Sequence, residues 1–182
     1  MVEPTYDVTP APPAAAPTVA KIDPAKLQSL MREVKERQNL PLGIAAGAGA
    51  MIVAAVVWAV VTAVANIQIG YMAVGVGFLV GFAIRFAGKG VSATFGWAGA
   101  ALSLTGCVGG NILTMAIVLA KKEEASVLSM LGFFATSPGT VLDLLKTAFH
   151  PMDIVFYLLA VYFGFKYSFR EINAEELAKV AK

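Results

Sequence analysis

The 27 residues from Pro41 to Ile67 contain no charged side chain, and no other feature limits the fold so strongly. At about 1.5 Å of rise per residue, roughly 20 apolar residues cross the hydrocarbon core of a bilayer as a helix. A run of this length predicts a membrane span with room to tilt. Gly43, Ala46, Gly47 and Gly49 give its start a smooth face, and Trp58 is expected to touch lipid or a neighbouring helix. Composition points the same way. Hydrophobic residues make up 58%, charged residues 14%, and the mean hydropathy is +0.72, whereas soluble domains carry about a quarter charged residues.

The stretch from Gly70 to Asn111 carries the next constraint, two glycine-studded apolar runs around a basic turn. The short uncharged connection Asn66–Gly70 forces an antiparallel hairpin between the first and second spans. In the second span Ala73, Gly77, Gly81 and Arg85 recur every four residues and share one helix face. Gly77 and Gly81 form a G-x-x-x-G pair, which lets two backbones cross closely in lipid. Arg85 ends the run beside Lys89, and both read as interfacial anchors whose long stems reach the headgroups. After Gly88-Lys89-Gly90, a third span is expected over Ser92 to Ala120. There Gly99, Ser103, Gly106 and Gly110 are small residues three or four apart, and Asn111 and Thr114 continue that side with polar groups. Polar groups in lipid need partners. They serve either as hydrogen bonds between helices, the preferred reading, or, with Ser103, Thr105, Asn111 and Thr114 together, as the lining of a polar path. A proton or ion route would also call for a mid-membrane acid, lysine or histidine, and the third span has none.

The flanks are simpler. Residues 1–22 are rich in proline and alanine and are expected to be disordered, without the basic start or apolar core of a signal peptide. Asp23-Pro24 predicts the start of an amphipathic juxtamembrane helix within 23–40, with Leu27, Leu30, Met31 and Val34 as its stripe. After Lys121-Lys122-Glu123-Glu124, residues 126–149 predict two short pieces joined at Ser137-Pro138-Gly139, with Thr140 capping the second. Such pieces suit an interfacial layer, with a re-entrant pair as the lesser reading. His150-Pro151-Met152-Asp153 then predicts a helix start, and an aromatic fourth span follows to about Phe169, crossing only if Asp153 and Lys166 snorkel. Residues 171–182 are expected to be a short polar tail, helical, with Asn173 as its cap.

The expected fold is therefore all-α: a polytopic membrane bundle of four transmembrane helices over 41–170, with interfacial helices between the third and fourth. Four spans put both termini on one side, together with eleven of the fourteen Lys and Arg residues; Lys121, Lys122 and Lys146 face the other. By the positive-inside rule the termini are cytoplasmic. A single cysteine, Cys107, and a single histidine, His150, argue against disulfides, metal clusters and a nucleophile–base pair. A net charge of +2 without a basic aromatic patch argues against nucleic acid.

The ordered runs WAVVTAVANIQIGYMAVGVGFLVGFAIRFAGKG, FGWAGAALSLTGCVGGN and DIVFYLLAVYFGFKYSFR, within Trp58 to Arg170, resemble a family of small uncharacterised bacterial membrane proteins with a glycine-rich hairpin and an aromatic last helix. The resemblance implies a multi-pass protein of the bacterial inner membrane. It brings no activity, cofactor or site residue. The function expected from the residues is non-enzymatic: an accessory or scaffold subunit that packs on a larger membrane complex or on its own copies. No cofactor or metal is expected. The alternative is a small oligomeric channel or solute carrier. The residues expected to carry helix packing are Ala73, Gly77, Gly81, Gly99, Ser103, Gly106, Gly110 and Asn111.

Overall fold

A computed structural model describes residues 24–65 and 70–171. Among these residues the chain is all-α, with no strand: α1 (Pro24–Glu36), α2 (Leu40–Ala65), α3 (Tyr71–Gly88), α4 (Ala93–Lys122), α5 (Val127–Thr136), α6 (Pro138–Ala148) and α7 (Pro151–Tyr167). By length and composition, α2, α3 and α4 can each cross a membrane, and α5 with α6 pass together only as a pair bent by 108°. At 17 residues, α7 is one residue shorter than α3. The expectations placed on the tail, on Asp23, on residues 66–69 and on Asn173 lie outside the described residues.

Four helices make the bundle. α3 packs on α4, α2 packs against that pair on one side, and α7 packs against it from the other. Contacts along the helices fix their directions. Gly43, Gly47, Met51 and Trp58 of α2 meet residues 95, 102, 106 and 110 of α4 in rising order, so those two run parallel. Gly70, Gly77 and Gly81 meet Phe156, Ala160 and Tyr167, so α3 and α7 run together in the opposite sense. The buried core is held by Trp58, Val76, Val80, Ile84, Phe95 and Cys107. The outer surface is also apolar: Ile52, Val56, Val60 and Val64 on α2, Leu79 and Phe86 on α3, and Leu158 on α7 are all exposed. A bundle that is apolar inside and outside is what lipid solvation produces.

The 30 residues of α4 make it about 45 Å long, longer than α3 or α7. α5 packs against α4 and buries Phe134, and α6 turns away from α5 with weaker contact to α4. Two local starts differ from the sequence expectation. α6 begins at Pro138 with Ser137 as its N-cap, so Thr140 lies inside the first turn. Proline's fixed φ and its missing N–H suit the first helical position, and the helix starts there rather than two residues later. Asn39, expected only to end the first helix, caps α2 by accepting a 2.9 Å hydrogen bond from Leu42 N–H. The start of α7 follows expectation, with the Asp153 carboxylate accepting from the His150 backbone N–H at 2.9 Å.

Candidate functional site

The small residues of α3 and α4 are where the backbones come closest. Glycine's missing Cβ is indispensable at two crossings. A methyl group at Gly77 would lie 2.5 Å from the Ala160 carbonyl oxygen of α7. One at Gly99 would overlap the Ser168 hydroxyl and the Gly164 carbonyl. Gly81 meets Tyr167 at 2.9 Å on the same terms, and Ala73 is fully buried. An aromatic stack flanks this seam: Phe78 lies 4.6 Å from Phe163 and 4.7 Å from Tyr167, centroid to centroid. Such pairs add about 0.5–1.5 kcal/mol beyond their buried area.

The small face of α4 divides among three neighbours. Gly99 and Ser103 face α7, where Ser103 sits against Gly164. Gly106 faces Val76 of α3 and Met51 of α2, and Gly110 faces the ring of Trp58 on α2. Spacings of three and four keep residues near one stripe, but the stripe drifts around the axis, so its two ends address different helices. Trp58, 1% exposed, thus contacts a helix of its own chain.

The polar residues of α4 are disposed separately. Thr105 Oγ1 donates to Ala101 O at 2.9 Å, and Thr114 Oγ1 donates to Gly110 O at 2.8 Å, each within its own helix. Asn111 Nδ2 donates a short hydrogen bond to Tyr157 Oη of α7. Ser103 is fully buried, and its hydroxyl makes no hydrogen bond among the described residues. Thr105, Asn111 and Thr114 thus each have a hydrogen-bond partner of their own. Cys107 is buried in the core, and no group of three or more His, Cys, Asp or Glu that could hold a metal occurs among the described residues.

Arg85 and Lys89 lie at the end of the bundle that carries the start of α2 and the end of α7. Lys89 adopts the left-handed conformation (φ 50°), and its N–H bonds Arg85 O to close α3. Two flanking segments grip this turn: Asn39 N–H donates to Gly88 O, and Arg170 N–H donates to Gly90 O, both at 2.9 Å. Close approach is required here as well, because a side chain at Gly90 would run into the Phe95 ring. Neither Arg85 nor Lys89 forms an ion pair with any described residue.

Sequence reading misses the far half of each crossing. Ala160 and Gly164 on α7 and Ser168 at its C-cap stand four apart and form the counter-face to α3 and α4. Their small-x-x-x-small spacing is visible in the sequence beneath a more conspicuous aromatic pattern. Tyr157 as the partner of Asn111 carries no such signal. Comparison with family models, characterised proteins and solved structures yields no match.

Proposed function

We propose that this chain is a non-enzymatic integral membrane protein that works through contact, as an accessory or scaffold subunit of a larger membrane assembly or of its own oligomer. In this reading α2, α3, α4 and α7 are the four spans. The support for α7 is its position alongside α3, in the same direction and only one residue shorter. α5 and α6 then form a cap on the far face, with α5 lying against α4. The Lys/Arg-rich end faces the cytoplasm by the positive-inside rule, as in a bacterial inner membrane.

One observation carries the reading. The small-residue faces of α3 and α4 are consumed inside the chain, whereas α5 keeps an apolar surface with a single buried residue, Phe134. Leu128 is 79% exposed and Phe133 47%. An apolar helix left this open at the edge of a bundle supports docking to another membrane protein. The channel reading has less support, because Thr105 and Thr114 bond to their own backbone, Asn111 bonds to Tyr157 and Ser103 is buried against Gly164 of α7.

The test is extraction of the full chain from native membranes in mild detergent, with the complex identified by mass spectrometry. A stoichiometric assembly that is lost in the Leu128→Glu/Phe133→Glu variant is expected. A monomer of unchanged size in both proteins would end the subunit reading. Solute or ion flux in proteoliposomes that disappears in Asn111→Leu would install the channel in its place.

A further inference from the structure

We propose that the basic end of the bundle is a binding site for a phosphate-bearing anion, and specifically for the headgroup of an anionic phospholipid. Four cations from three separate stretches line one cleft of about 510 Å³: Arg37 after α1, Arg85 and Lys89 at the end of α3, and Arg170 after α7. Phe86 is the remaining lining residue, so among the described residues no carboxylate lines the cleft. A smaller neighbouring cleft shares Arg85 and adds Lys166, with Glu171 as its one acid.

The convergence is built by the fold. These residues are up to 133 positions apart in sequence, and the two backbone hydrogen bonds that grip the Gly88–Gly90 turn bring Asn39 and Arg170 to it. Arg37 carries an exposed pair with Glu33 at 2.7 Å, while Arg85 and Lys89 have no ion pair among the described residues. Arg85 and Lys89, like charges one helical turn apart, repel one another, and an anion between them relieves that repulsion. Guanidinium forks match phosphate oxygens two at a time, and a lysine ammonium adds a point charge.

The wall of the cleft selects the lipid over a free anion. Phe86 is 76% exposed, and Phe82, one turn back along α3, is also exposed. The rings of Phe82 and Phe86 stack with centroids 6.2 Å apart and continue the cleft as an apolar strip. A soluble phosphate gains nothing from such a strip. A phospholipid lays its acyl chains on it while its headgroup meets the cations. The inference rests on the reading of the bundle as membrane-embedded, and not on its reading as a subunit.

The experiment uses the full chain in phosphatidylcholine nanodiscs containing a minor fraction of phosphatidylglycerol, with retained lipids counted by native mass spectrometry after mild extraction. Phosphatidylglycerol is expected to be kept in preference to phosphatidylcholine. The Arg85→Gln/Lys89→Gln variant should lose that preference roughly thirtyfold, taking each cation at the usual strength of basic residues near anionic lipid. The charge-preserving Arg85→Lys/Lys89→Arg variant should keep most of it, as should Lys121→Gln/Lys122→Gln at the other end. An equal loss in the two glutamine variants, or no preference in the unaltered chain, overturns the site. Displacement of phosphatidylglycerol by millimolar inorganic phosphate overturns the lipid assignment. Failure to enter nanodiscs strikes down the membrane reading, and this inference with it.

Discussion

Glycine does opposite things in two regions of this molecule. In the four-helix bundle, Gly77 and Gly99 stand where another backbone passes within van der Waals range, and a single carbon has no room. In the α5–α6 pair, Gly132 and Gly139 have nothing within 4 Å of where a side chain would go. Glycine content is similar to the eye, but the mechanical meaning differs. Close crossing comes from glycines aligned with a facing small residue, such as Gly77 with Ala160 or Gly99 with Gly164. Glycine without that counterpart lowers helix propensity and leaves the surface open.

The largest effect that can break this comparison is expected at the crossings. Gly77→Leu or Gly99→Leu should destabilise the bundle by about 3 kcal/mol or more, since a backbone carbonyl, of Ala160 at the first and of Gly164 at the second, stands in the way and cannot turn aside. Thermal unfolding of the purified monomer in detergent measures it. An unchanged midpoint would mean that α7 does not pack on α3 and α4 as described. Asn111→Leu comes next. It removes the hydrogen bond to Tyr157, and such bonds between membrane helices contribute about 0.6–1.7 kcal/mol. The same measurement on Tyr157→Phe and on the double variant isolates the coupling, and strictly additive losses would show that the pair is not coupled. The smallest effect is expected at Gly132→Ala on α5. With open space around it, alanine should be neutral or stabilising by up to about 1 kcal/mol. A clear loss of stability or of assembly there would reveal a neighbour pressed against α5 and sharpen the contrast from the other side.

The sequence resolves the helices better than their partners. Long uncharged runs mark α2, α3 and α4 to within a few residues, because lipid tolerates few charges and the hydrocarbon thickness sets a minimum length. Small residues spaced by four also mark which faces can approach another helix. They do not say which helix comes. A stripe such as Gly99, Ser103, Gly106 and Gly110 specifies a shape, and its division among α7, α3 and α2 depends on where those helices arrive from distant parts of the chain. The pairing of Asn111 with Tyr157, 46 positions away, is invisible for the same reason. At the basic end, Arg85 and Lys89 are legible as charges closing an apolar run, but their meeting with Arg37 and Arg170 depends on two backbone hydrogen bonds to a turn. The misplaced start of α6 has a local cause, in that Pro138 outweighs Thr140 as a beginning.

The lengths of the helices also differ across the bundle, and this bears on the surrounding bilayer. The 18 residues of α3 and 17 of α7 correspond to about 27 and 26 Å, whereas the 26 residues of α2 correspond to about 39 Å. A typical hydrocarbon core is about 30 Å thick. If α7 spans beside α3 as proposed, the flank they form is shorter than the hydrocarbon core and lipids beside it thin by a few ångströms, whereas beside α2 the mismatch is absorbed by tilt. Embedded in this way, the protein has a thin side and a thick side, and favours membranes, or neighbouring proteins, that match the thin one.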